Sequence, residues 1–119
     1  MRLVILESPF AGKGATPEER AVATAENLRY LRACLADSLR RGEAPFASHG
    51  LYTQPGVLDD TDPAERAHGI AAGSAWPAHA TVVYTDRGMS SCMRAGIEHA
   101  ATLPGHAVEY RTLGGEWAS

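Results

Sequence analysis

Two short apolar runs, Leu3-Val4-Ile5-Leu6 and Thr81-Val82-Val83-Tyr84, restrict the fold more than any other feature of the chain. A continuous apolar run suits a strand covered on both faces, as strands of a parallel sheet are. Both are therefore expected at the centre of such a sheet. Two weaker segments fit its edges. Ala44-Pro45-Phe46-Ala47 holds a proline that cannot donate to a ladder, and Val108-Glu109-Tyr110-Arg111 alternates apolar with polar.

The segments between these strands read as helices with legible starts. Thr16-Pro17-Glu18-Glu19 offers a capping threonine, a proline suited to the first turn and a glutamate that closes a capping box. This helix is expected to run to Arg41, with Val22, Ala25, Leu28, Leu31, Leu35 and Leu39 on the buried face and Gly42 ending it. Asp62-Pro63-Ala64-Glu65 repeats the start signal for a second helix to about Ala75. A third begins at Ser90 or Ser91, carries Met93, Ile97 and Ala100 on one face, and stops at Pro104-Gly105.

The order β-α-β-α-β-α-β, with right-handed crossovers, predicts a doubly wound α/β fold of the Rossmann-like or flavodoxin-like kind. It has a parallel four-stranded sheet in the order 2-1-3-4 and helices on both faces. The 119 residues, 45% hydrophobic, suffice for one core and read as a single domain over residues 1–119. In such sheets ligands bind beyond the carboxyl ends of the strands where the strand order reverses, here between the first and third strands. Residues 49–61, the longest irregular stretch, are about a dozen residues and so are expected to be functional.

Charge and motif content narrow the partners. A formal charge of −3, with no run of Lys and Arg interleaved with aromatics, argues against nucleic-acid binding. No apolar stretch approaches the roughly 20 residues of a membrane span, and the first apolar run is too short for a signal peptide, so a cytoplasmic protein is expected. Cys34 and Cys92 lie too far apart for a zinc motif and read as packing thiols. The five histidines contain no pair at ligand spacing, so neither a metal nor a cofactor is expected. Gly12-Lys13-Gly14 lacks the Ser or Thr that a phosphate loop needs directly after its lysine, which leaves Lys13 a solvated residue or a contact to a substrate charge. Trp76 and Trp117 read as packing or interface residues.

Four polar segments converge on the expected crevice. Glu7, at the end of a central strand and followed by Ser8, Phe10 and Gly12, must be solvated, paired with Arg87, Arg111 or His49, or raised in pKa; unpaired, it would suit acid–base work. Asp86, at the end of the other central strand, is the second carboxylate, with a turn role before Gly88 as the structural alternative. Ser48, His49 and Tyr52 offer contacts to a base or sugar. Ser90 and Ser91 stand at a helix N-terminus, where free N–H groups favour an anion, although one of them also serves as the cap.

Three segments, "VILESPFAG", "NLRYLRACLADSLRRGEAPFASH" and "TVVYTDRGMSSCMRAGIEHA", resemble the nucleoside 2-deoxyribosyltransferase-like superfamily, in particular an uncharacterised phage and bacterial branch. The resemblance spans most of the chain. It implies a homodimer or higher homo-oligomer binding a small-molecule nucleoside or nucleoside 5′-monophosphate at the strand ends. Sugar and base would lie near Glu7, Ser8 and Asp86, and the 5′ end near Ser90 and Ser91. The superfamily's catalytic glutamate sits on the third helix, where this chain carries Gly96, and Glu98, two residues on, faces the other way. The expected activity is hydrolysis or transfer at an N-glycosidic bond, with Glu7 as nucleophile or general base and Asp86 orienting the sugar or protonating the leaving base. The alternative is a nucleotide-binding or interaction module that has lost the helix glutamate.

Overall fold

A computed structural model describes residues 1–118. Four strands, β1 (Arg2–Glu7), β2 (Glu43–Phe46), β3 (Ala80–Tyr84) and β4 (Ala107–Arg111), form one sheet in the order β2-β1-β3-β4. Every pairing is parallel. The expected topology is therefore the observed one, with β1 and β3 central. Pro45 is tolerated because β2 is an edge.

The helices are α1 (Pro17–Arg40), α2 (Ser48–Leu51), α3 (Pro63–Ser74) and α4 (Ser91–Ala101), followed by a 3-10 turn at Gly115–Trp117. Each long helix starts on the cap read from sequence. Thr16 Oγ1 accepts from Glu19 N, Asp62 Oδ1 from Ala64 N and Ser90 Oγ from Met93 N. Gly42, at φ 84°, takes the left-handed conformation that stops α1.

Strand alternation sorts the two faces. Val4, Leu6, Ala80, Val82 and Tyr84 meet Tyr30, Leu31 and Cys34 of α1 in the core, so Cys34 packs as expected. The opposite face presents Ile5, Glu7 and Thr81 toward α3 and α4. Two expectations are corrected. The buried stripe of α1 runs through Asn27, Tyr30, Leu31, Cys34 and Ser38, while Val22 and Leu39 are exposed. A helix of 24 residues is roughly 36 Å long and its N-terminal part, with Val22, overhangs strands of six residues or fewer; near its C-terminal end Ser38 is the residue turned to the sheet, and Leu39, one position on, points away from it. The chain after β2 is not wholly irregular either, because Ser48–Leu51 forms the helical turn α2.

The α1 face also holds a buried ion pair. Nη1 and Nη2 of Arg111 each donate to the Glu43 carboxylate at 2.7 Å, and Ser38 Oγ donates to Glu43 at 2.8 Å. On β4 the polar residue is thus the buried one, and Tyr110 faces solvent.

Candidate functional site

The cavity lies where α3 and α4 stand apart over the second face of the sheet. Its volume is about 690 Å³. β1 delivers Glu7 to it, and the following loop adds Ser8, Phe10, Gly12 and Lys13. Gly12 is needed where this loop crosses α1, since a methyl group there would lie 2.6 Å from Ala23 Cβ, and its N–H donates to Thr24 Oγ1 at 2.8 Å. Ser48, His49 and Tyr52 enter from α2 and its C-terminal end, and Ser90 and Ser91 from the start of α4.

Glu7 is the distinctive group. Among the described residues no donor bonds its carboxyl, and none of the three partners considered from sequence takes it. Arg111 holds Glu43 and Glu109, Arg87 Nε donates to Asn27 Oδ1 at 2.8 Å, and His49 meets Ser8. Burial without compensation pushes the Glu7 carboxyl up to about 8, so it is largely neutral at pH 7. Its oxygens rest against α4 at Gly96, where a methyl group would overlap Oε2 and lie 2.7 Å from Cδ.

Beside it, Ser8 Oγ and His49 Nε2 are 2.8 Å apart. Burial lowers the His49 imidazole to about 4, so it is a neutral hydrogen-bonding group at pH 7. On the edge-strand side Tyr52 OH accepts from Trp76 Nε1 at 3.0 Å, and Phe46 packs on Trp76 with ring centroids 4.5 Å apart. Trp76 is thus a packing residue that also lines the cavity.

The α3–α4 end carries charges of both signs, with Asp60, Glu65 and Glu98 among its lining residues. Arg66 of α3 reaches across to donate to Cys92 Sγ of α4, and Arg94 and Lys13 also line the cavity. Arg66 is a site residue that sequence reading missed. The start signal placed it on a helix, but only the separation of α3 from the sheet turns it into the cavity. Ser90 is committed to capping, whereas Ser91 is exposed and has no partner among the described residues. No cluster of His, Cys, Asp and Glu suited to a metal occurs among the described residues.

Two expected members do not join the site. Asp86 faces α1, where its carboxylate accepts from Tyr30 OH at 2.6 Å and from the N–H groups of Leu113 and Gly114 at 2.9 and 3.0 Å. Burial opposes ionisation, but these donors outweigh it and hold the Asp86 carboxyl below its ordinary value. Its lone pairs are spent on structure. Gly88 lies outside the cavity as well. At φ 87°, with its N–H bonded to Thr85 O at 2.9 Å, it closes the turn after β3.

No helix among the described residues is long and apolar enough to cross a membrane. Neither the curated proteins nor the solved structures contain a match to the sequence. A family profile does match, over residues 2–111, which takes in all four strands, α1 to α4 and every residue of the cavity. By that match the chain belongs to the family described as Domain of unknown function (DUF7768).

Proposed function

We propose that the protein hydrolyses or transfers the N-glycosidic bond of a nucleoside or nucleoside 5′-monophosphate, with Glu7 as its reacting carboxyl. The observation that carries this reading is an unbonded, partly buried carboxyl on the wall of a large cavity, between the Ser8–His49 pair and the N-terminal end of α4. Structural carboxylates in this chain are saturated with donors, as Asp86 and Glu43 are; Glu7 is kept free at a cost in stability. The resemblance to the nucleoside 2-deoxyribosyltransferase-like superfamily adds support, because its helix glutamate corresponds in position to Gly96, and the Glu7 carboxyl rests against that glycine.

With Asp86 engaged elsewhere, Glu7 takes the acid role as well as the base role. In its neutral form it gives a proton to the departing base as the C1′–N bond breaks, the bonding pair going to the base. Water, or an acceptor hydroxyl, then bonds to C1′ and returns its proton to the Glu7 carboxylate. Ser8 and His49 are placed to hold sugar hydroxyls and Tyr52 to hold the base. Lys13, Arg66 and Arg94, with the N–H groups near Ser90 and Ser91, favour an anionic 5′ end. Exposed Ile70 and Trp76 on the cavity's rim support a homo-oligomer in which a second copy covers them.

The test is incubation with a panel of nucleosides and 5′-monophosphates, with chromatographic detection of free base. Release that falls roughly 100-fold or more in Glu7→Gln is expected. Ligand-induced thermal stabilisation without release would favour the binding module instead, and release unchanged in Glu7→Gln would remove Glu7 from the chemistry.

A further inference from the structure

A glycine in the middle of α4 calls for an explanation, since glycine is the poorest helix former apart from proline. Crowding supplies it, and of one kind only. The three atoms that a methyl group on Gly96 would approach most closely are Oε2, Cδ and Oε1 of Glu7. No backbone and no other side chain intrudes as closely. Glu98 does not compete for this place, because two residues turn a helix by about 200°, and it is exposed on the rim.

We infer that positions 7 and 96 make up one carboxyl site: Gly96 is a positioning residue whose missing side chain seats the Glu7 carboxyl, and the carboxyl that β1 supplies can be supplied from α4 instead. The space is shared, so only one of the two positions can carry a side chain of that length. A side chain at 96 with Glu7 present expels the carboxyl from its seat; a glutamate at 96 with a small residue at 7 refills the seat from the other wall. The bearing of this exchange on catalysis rests on the glycosidase reading, whereas the packing does not.

A thermal-denaturation cycle over Glu7→Ala, Gly96→Ala and the double variant needs no substrate. With Glu7 present, Gly96→Ala is expected to swing the flexible Glu7 carboxyl out of its seat into the cavity, so that its carbon-13 titration falls back toward the usual carboxylate range. In the Glu7→Ala background it is expected to raise Tm, because the clash is gone and alanine is the better helix former. A Glu7 carboxyl that still titrates well above the usual range in Gly96→Ala would overturn the inference, as would failure of the double variant to fold. The exchange itself is read in Glu7→Ala with Gly96→Glu. Its new carboxyl, followed by carbon-13 titration of the glutamate side chains, is expected to titrate well above the usual carboxylate range, and base release to recover at least tenfold over Glu7→Ala alone. Titration of that carboxyl in the ordinary range would overturn the exchange. If the wild-type protein releases no base from any compound, the glycosidase reading fails, and the denaturation cycle and the titration still decide this inference.

Discussion

Asp86 and Tyr30 bond each other twice: the Tyr30 hydroxyl donates to Asp86 Oδ1 at 2.6 Å and accepts from the Asp86 N–H at 2.9 Å. The pair ties α1 to the turn after β3, and the same carboxylate collects the N–H groups of Leu113 and Gly114. Trp117, just beyond, stacks edge-on against Tyr30 at 4.9 Å. Asp86 is therefore a clasp for the C-terminal segment. Asp86→Ala is expected to cost about 2 kcal/mol, the scale of lost hydrogen bonds to a charged acceptor, while base release from the folded protein stays within about twofold. Urea denaturation and the release assay check the two halves separately.

The Glu43–Arg111 pair predicts a specific acid sensitivity. Arg111, bonded to Glu43 at two points, holds the carboxyl down at about 2, against the penalty of burial and with help from Ser38. A depressed carboxyl contributes stability that is present above its ordinary value near 4.5 and is lost as pH falls from there toward 2. The wild-type protein should weaken across that window. Glu43→Gln, which leaves Arg111 buried without its counter-charge, should be about 3 kcal/mol less stable at pH 7 and show a flatter decline below pH 4.5. Denaturation midpoints at pH 7, 4 and 3 test it.

Glu7 gives the opposite sign. Its carboxyl is raised from 4.5 to about 8 by burial, so stability is undiminished below pH 4.5 and declines as pH rises toward 8, where folding has to hold an ionised group in a poor solvent. Glu7→Gln keeps the neutral shape and removes the penalty. It should match the wild type at pH 4 and exceed it by up to ~4 kcal/mol at pH 8. Equal stability at both pH values would show that the carboxyl is solvated in the folded protein. A residue whose loss strengthens the fold is a common mark of a functional site.

Much of this fold was legible because its signals are local. Thr16, Asp62 and Ser90 cap their helices through bonds spanning two or three residues, and the apolar runs of β1 and β3 announce their centrality directly. The errors came from contacts distant in sequence. Asp86 sits where an active-site carboxylate should, at the end of a central strand, and only the return of Leu113 and Gly114 shows otherwise. Arg111 is buried against the alternation of its strand because a partner 68 residues away neutralises it. Glu7 was legible as a residue, but its seat was not. That it rests on Gly96 follows from the placement of α4 over β3 and β4, close to the end of β1, which no spacing encodes.

The two serines at the start of α4 should separate under mutation, because their hydroxyls have different employment. Ser90 Oγ accepts from Met93 N at 3.2 Å, so Ser90→Ala removes a helix cap and is expected to cost about 1 kcal/mol of stability, weakening every ligand indirectly if at all. Ser91 is exposed, lines the cavity and has no partner among the described residues, so Ser91→Ala should leave Tm unchanged. If a 5′-phosphate is held there, the lost hydrogen bond to a charged acceptor is worth about 2 kcal/mol and weakens monophosphates roughly thirtyfold, while the corresponding nucleosides bind as before. Calorimetric titration of one nucleoside and its 5′-monophosphate against both variants provides the comparison. Equal weakening of the two ligands by Ser91→Ala would move the phosphate away from Ser91.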